Sequence, residues 1–456
     1  MSRTNVAVKA DPIYTHEGGK ATRCNEEQEL RRSVLTCLLW EDNFYESGST
    51  IAARIASLVP KVPPQVVHDI AIEAREVMQL RHAPLFLLRE LARVKGAGRF
   101  VESGLARVIQ RADELAEYLA LYWKDKRQPL SAGSKRGLAE AFTKFSAYAL
   151  GKYNRDNKIK LRDVLFLAHA KPRDTEQAVL WKSLIDGTLA SPDTWEVELS
   201  AGKDKKETFT RLLREKKLGG LAVLRNLRNM LQAGVDEGLI RKRLREGCGR
   251  ALPFRFITAA KYAPKLEDSL ETAMFKGLED APKLAGRTLL VVDASGSMHG
   301  QLSAKSEMDR LDAAAGLAVI IRELAEQPVV YSTAGNDGTR THATMLLPPR
   351  RGFSLIEAFR NSPQTIGGGG IFLVQCLDYI SQREPQPFDR VIIFTDEQDC
   401  DIKANPRNAK RLGRHNYIIN IASHKNGISY QNGWEHIDGW SEGVVRYIQA
   451  YERAEQ

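Results

Sequence analysis

The spacing of apolar residues changes once along this 456-residue chain, near residue 284, and that change divides what the chain can fold into. Up to about residue 275, apolar residues recur three and four positions apart, as at Leu115, Leu119 and Tyr122, the mark of helices with one buried face. The pattern predicts helix after helix, among them Gln65–Gln79, Phe100–Ile109, Ser134–Tyr153, Leu161–His169 and Leu218–Ala233. The breaks between them carry turn residues such as Gly96-Ala97-Gly98, Gln128-Pro129 and Gly234. Many medium helices on short links imply a helical-repeat solenoid rather than one bundle. Beyond residue 284, short apolar runs alternate with helices. The runs are Arg287–Asp293 (RTLLVVD), Pro328–Thr333, Arg390–Asp396 (RVIIFTD) and Asn416–Ser423; the helices include Ser306–Ala325, Phe353–Arg360, Phe372–Gln382 and Ser441–Arg453. This alternation predicts a doubly wound parallel sheet covered on both faces, an α + α/β chain overall. The expected divisions are a segment over 1–24, a helical domain over 25–280 and an α/β domain over 284–456.

The charge is divided in the same way. Residues 1–280 hold 48 Lys and Arg against 37 Asp and Glu, whereas residues 281–456 hold 19 against 20. Within residues 201–260 the count is 15 basic to 6 acidic. A basic excess confined to one domain is the electrostatic footprint of a polyanionic partner; its bland alternative is a set of solvated helix faces. Five widely spaced cysteines (Cys24, Cys37, Cys248, Cys376, Cys400) give neither a disulfide scaffold nor a CxxC zinc pattern, and suit a reducing cytoplasm. No stretch approaches the length of a membrane span, and the first residues lack an apolar signal core.

The sharpest local signal is Asp293-Ala294-Ser295-Gly296-Ser297, which follows a buried-strand pattern and precedes a helix. Ligands of a doubly wound sheet gather beyond the C-terminal ends of its strands, where two of these runs end in Asp. Asp293, Ser295 and Ser297 offer hard oxygen ligands suited to Mg²⁺, and Asp396 is placed to add a second carboxylate. The alternative is a polar turn whose Asp and Ser cap the next helix. The run Gly367-Gly368-Gly369-Gly370 is followed by no Gly-Lys-Ser/Thr, so it is not a P-loop. No nucleophile–base pair is marked, and the chain reads as a binding protein rather than an enzyme.

This part resembles a von Willebrand factor A domain, whose metal-ion-dependent adhesion site uses D-x-S-x-S, a Thr from a Gly-rich loop, and an Asp. Asp293, Ser295, Ser297 and Asp396 match; at the Thr, this chain has Gly370 or Ile371. The resemblance implies a divalent cation, Mg²⁺ foremost, with one hydroxyl missing. Further segments lie in the helical part. They include Glu41–Gly48, Leu80-Arg81-His82-Ala83-Pro84-Leu85, Lys152-Tyr153-Asn154-Arg155, His169-Ala170-Lys171-Pro172, Leu224–Met230 and Leu252-Pro253-Phe254-Arg255-Phe256. In order and content they resemble the TROVE domain of the Ro ribonucleoprotein family, of the bacterial or phage type, in which an A domain follows.

The Ro resemblance implies a ring of HEAT-type helical repeats closed by the A domain. Single-stranded RNA ends would enter its central hole, and small noncoding Y-like RNA would lie on a basic helical surface. It implies a monomeric cytoplasmic protein acting in RNA quality control or decay, with an exoribonuclease such as polynucleotide phosphorylase as partner and no membrane role. By position in the family's pattern, Lys152, His169 and, one residue out of register, Arg155 contact RNA. Arg136, Arg225, Arg228, Arg241 and Arg243 are cations of the kind that hold phosphates. The rival readings are a protein-interaction scaffold working through the metal site and, less favoured, a nuclease using Asp293 and Asp396.

Overall fold

The computed structural model describes residues 14–15, 18, 20–21, 25–35, 47–154, 157–248, 251, 253–302, 306–405, 408–422, 427, 433–440 and 443–454. The chain divides into two compact units. One is built chiefly from Ser47–Pro282 together with Trp440–Gln456, the other chiefly from Lys283–Gly439.

The first unit is helical, as its periodicity predicts, and its helices start where side chains satisfy their first N–H groups. Asp174 accepts from the Gln177 N–H at 2.7 Å, Asp204 from Glu207 at 2.8 Å and Asp236 from Leu239 at 2.7 Å. The single helix expected over 134–153 is two, Ala132–Phe142 and Ala147–Tyr153. The break falls where the Thr143 hydroxyl bonds back to the Glu140 carbonyl and Ser146 caps the second helix. Helices also form over Gly48–Leu58, Trp195–Ser200 and Glu267–Lys276. The closing helix Gly443–Ala454 belongs to this unit, where the Gln449 amide donates to the Pro282 carbonyl at 2.7 Å. Chain order alone would have left it with the sheet. Among the described residues no helix is long and apolar enough to cross a membrane.

The second unit is a six-stranded sheet flanked by helices. Its strands are β1 (Leu284–Asp293), β2 (Ala325–Asn336), β3 (Thr341–Leu346), β4 (Phe388–Thr395), β5 (Gly413–Asn420) and β6 (Glu435–Asp438), in the order β3-β2-β1-β4-β5-β6. The parallel sheet expected from the sequence carries one antiparallel edge strand. β3 is an antiparallel edge that returns on β2 through a tight hairpin, while every other neighbour is parallel. Leu289, Val291, Val391, Ile393 and Ile418 pack with Leu377 and Ile380 of the Leu373–Arg383 helix. The Arg310–Leu324 helix is buried on nearly all sides, which suits its run of Ala, Val and Ile. Parallel pairing of β1 with β4 brings their C-terminal ends, and so Asp293 and Asp396, to one edge.

Candidate functional site

In the helical unit an open cavity of about 1360 Å³ gathers side chains from five stretches of chain, one of them Arg81. Asp113, Ala116, Glu117 and Ala120 lie three or four residues apart on the Ala112–Tyr122 helix and so share a face. Tyr148 and Lys152 do the same on the Ala147–Tyr153 helix. Trp195 and Glu196 open the Trp195–Ser200 helix, and Leu221, Ala222 and Arg225 come from the Gly220–Gln232 helix. Gly151 lets the Lys152 helix come close to the chain beside it, since a Cβ there would stand 2.6 Å from the Ala190 carbonyl oxygen.

Among the described residues, six cations (Arg81, Arg111, Lys152, Lys158, Lys217, Arg225) and three acids (Asp113, Glu117, Glu196) line this cavity. They are not equally available. Arg81 is spent on Asp113 at 3.0 Å, Glu114 at 3.2 Å and Glu117 at 2.6 Å. Arg111 grips Asp113 through two nitrogens at 3.1 and 2.8 Å. Behind them the buried Glu114 is held by Arg75 at 2.7 Å and by the Gln110 and Arg111 N–H groups, so this wall is rigid. Burial pushes the Glu117 carboxyl up, but His82 and Arg81 beside it outweigh this and hold it below the usual glutamate range. Lys217 is tied to Asp193 and Glu215, each at 2.9 Å. Lys152 is tied loosely, its Nζ standing 3.5 Å from Glu196. Among the described residues Lys158 and Arg225 have no acidic partner. Tyr153 is half-buried under two cations, with Arg111 at 5.0 Å and Lys152 at 5.8 Å from the ring centroid. Tyr148 is 57% exposed, so its ring is open to a ligand.

Among the described cations singled out in the sequence, the structure brings together Lys152 and Arg225. His169 is exposed at the C-cap of the Leu161–Ala168 helix with φ +54°, and is not on the cavity wall. Arg136 pairs with Glu102 at 2.6 Å and lines a separate cavity of about 760 Å³ with Arg99, Lys171 and Arg173. Arg228 lies 5.3 Å over the Tyr262 ring. Arg241 is bound to Asp268 at 2.7 Å and to the Lys265 carbonyl. Arg243 is bound to the Leu218 and Gly247 carbonyls at 3.2 and 2.9 Å, so it serves packing. Arg155 lies outside the described residues, as does most of the Glu41–Gly48 segment. The sequence reading missed Tyr148, Trp195 and Lys158 as cavity residues. The signal present was the four-residue spacing of Tyr148 and Lys152.

In the sheet unit Asp293, Ser295, Ser297 and Asp396 do converge. Asp293 accepts the Ser295 N–H at 2.8 Å and the Thr395 hydroxyl at 2.7 Å, and the Ser295 and Ser297 hydroxyls are 3.2 Å apart. The Gly-rich loop reaches the same turn, the Gly296 N–H donating to the Gly369 carbonyl at 3.3 Å. Burial, then the Asp396 charge, push the Asp293 carboxyl up to about 7. All donors are hard oxygens, as Mg²⁺ requires, but the interior of the site is already filled, so the set does not fit a dication. Arg310 sits against Asp396 and the Ser297 carbonyl, and Gly370 is packed on Cys400.

Comparison with known proteins places this geometry. The TROVE domain family matches residues 181–298. Telomerase protein component 1 of Mus musculus is 36% identical over 91 residues, which is 18% of this chain and only 4% of that protein's length. The crystal structure of the Deinococcus radiodurans Ro (Rsr) protein covers 95% of this chain and 100% of its own, with a TM-score of 0.59 and 17% identity. That likeness shows the fold: helical repeats followed by a mixed, largely parallel sheet with flanking helices.

Proposed function

We propose that this chain is a protein of the Ro type that binds RNA without acting on it chemically, a reading that the TROVE match, the shared fold and the telomerase-component match support. The observation that carries the reading is the cavity of the helical unit. One opening there combines the loosely held Lys152, the acid-free Lys158 and Arg225, and the exposed ring of Tyr148. Cations that track a backbone beside an aromatic face are what a single strand needs: phosphates are held by charge and bases by stacking. The same groups suit duplex RNA poorly, because paired bases offer no open face to Tyr148. We therefore place a single-stranded RNA end in this cavity.

Structured small RNA of the Y type would lie on other basic faces of the helical unit. The Arg99, Arg136, Lys171 and Arg173 cavity is one candidate, although Glu102 and Glu140 hold Arg136 and Arg173 there, with His169 and Arg228 as further phosphate contacts; Arg241 would first have to leave Asp268. The cellular role that follows is noncoding-RNA quality control or decay in the cytoplasm, with an exoribonuclease receiving the bound end.

The test is fluorescence anisotropy of a labelled single-stranded oligoribonucleotide across a salt series. Affinity is expected to fall on a log–log plot with a slope of about −0.7 per phosphate held. Lys152→Ala and Arg225→Ala should each weaken single-strand binding several-fold and leave duplex binding closer to wild type. A flat salt response, or equal loss for both substrates, would sink the placement.

A further inference from the structure

The turn at the end of β1 has the outline of a cation site and a different interior. Asp293 has no exposed surface, and its two oxygens are engaged by the Ser295 N–H and the Thr395 hydroxyl. Asp396 faces Arg310, whose Nη1 lies 3.3 Å from the Asp396 carboxylate and 3.1 Å from the Ser297 carbonyl oxygen. The Arg310 side chain is 1% exposed, so this guanidinium is part of the interior.

The place for a third hydroxyl is closed as well. A Cβ on Gly370 would overlap the Cys400 sulfur and stand 2.8 Å from the Cys400 Cβ. Ile371, the other residue available there, is fully buried, and its carbonyl accepts the Cys400 N–H at 2.9 Å. Neither position can present a side-chain oxygen to the turn without displacing Cys400 or emptying part of the core.

We propose that Arg310 is the resident cation of this site, and that the D-x-S-x-S turn is held together by its guanidinium and takes no divalent metal. The chemistry favours this. Mg²⁺ demands near-octahedral oxygens at about 2.0–2.1 Å. Here the Asp396 carboxylate and the Ser297 carbonyl are already hydrogen-bonded to a group that carries its charge at every accessible pH. A dication placed against that fixed positive charge in a buried site meets strong repulsion. A guanidinium this deeply buried also has no open position for a partner's carboxylate, so the site is a cross-link rather than a grip. It ties the turn after β1, the start of the Arg310–Leu324 helix and the end of β4.

The first test needs no variant. Mn²⁺ is titrated into the full chain and followed by electron paramagnetic resonance, and the melting temperature is compared in chelator and in millimolar Mg²⁺. The free Mn²⁺ signal should match buffer, and the melting temperature should not move. A dication bound at a hundred times its Kd would raise it by roughly 5–10 °C, and that rise, or stoichiometric loss of the free signal, overturns the proposal. Arg310→Lys keeps the charge and should stay silent towards Mn²⁺. The triple variant Arg310→Ala, Gly370→Thr, Cys400→Ala opens the interior and restores a hydroxyl, and should gain chelator-reversible Mn²⁺ binding. If it folds and gains none while the wild type is also silent, Arg310 and Cys400 are not what excludes the metal, and the assignment falls. If it does not fold, the wild-type and Arg310→Lys titrations decide alone.

Discussion

At the level of single residues, acids hold the very cations of the helical cavity that the proposed RNA strand would use. Glu196 sits 3.5 Å from Lys152, and any phosphate that uses Lys152 must displace it. Glu196→Gln is therefore expected to tighten single-strand binding several-fold, in the opposite direction to Lys152→Ala, and anisotropy at fixed salt reads both. A different buried acid sets a pH dependence. Burial pushes the Asp399 carboxyl up to about 7, although it accepts N–H groups from Leu373 at 3.0 Å and Asp401 at 2.6 Å. Its folded value lies above its unfolded value, so the folded state binds the proton more tightly. Stability should fall as pH rises from about 4 towards 7, by at most on the order of 1 kcal/mol per pH unit from this group. Asp399→Asn should flatten that part of a melting-temperature profile, and an unchanged slope would remove the assignment. Lys152 and Arg225 were legible in the sequence as cations on helices. The fate of Arg241 and Arg243 was not, because a charge run looks the same whether it faces solvent or caps carbonyls 20–30 residues away. The exposure of Tyr148 was hidden for the same reason: it follows from which helix packs beside it.

Among the elements, the Arg310–Leu324 helix owes its start to a reciprocal cap. The Asp309 carboxylate accepts the Asp312 N–H at 2.7 Å, and the Asp312 carboxylate in turn accepts the Asp309 N–H at 3.2 Å. Arg360 binds both carboxylates, at 2.7 and 2.8 Å. Asp309→Ala should lower stability by about 1–2 kcal/mol, read by denaturant unfolding, without altering RNA affinity. Here the sequence was a good guide where burial is uniform. β1 and β4 are continuous apolar runs because both their faces are covered, and such runs are plain to read. β3 (THATML) and β6 (EHID) escaped notice, since one is a half-polar hairpin edge and the other spans four residues. The same limit explains the broken Ser134–Tyr153 helix, where a Ser cap inside a good helical pattern carries no more signal than any exposed Ser.

For the molecule as a whole, the charge division and the sheet-unit cross-link make a joint prediction. RNA binding should depend steeply on salt, through the basic helical unit, and not at all on divalent cations beyond their ionic strength. Replacing Mg²⁺ by chelator at constant ionic strength should leave the dissociation constant unchanged, and a loss above about tenfold, or 1.4 kcal/mol, would couple metal to RNA after all. The division itself was visible as the change of rhythm near residue 284, while the return of the closing helix was not, because nothing in Gly443–Ala454 names the unit it packs with. That return makes the helical unit discontinuous: its chain leaves at Pro282 and comes back only after the entire sheet. On the ribosome, the sheet can therefore finish folding before the helical unit receives its Gly443–Ala454 helix, so the half proposed to hold RNA is completed only after the sheet has been made.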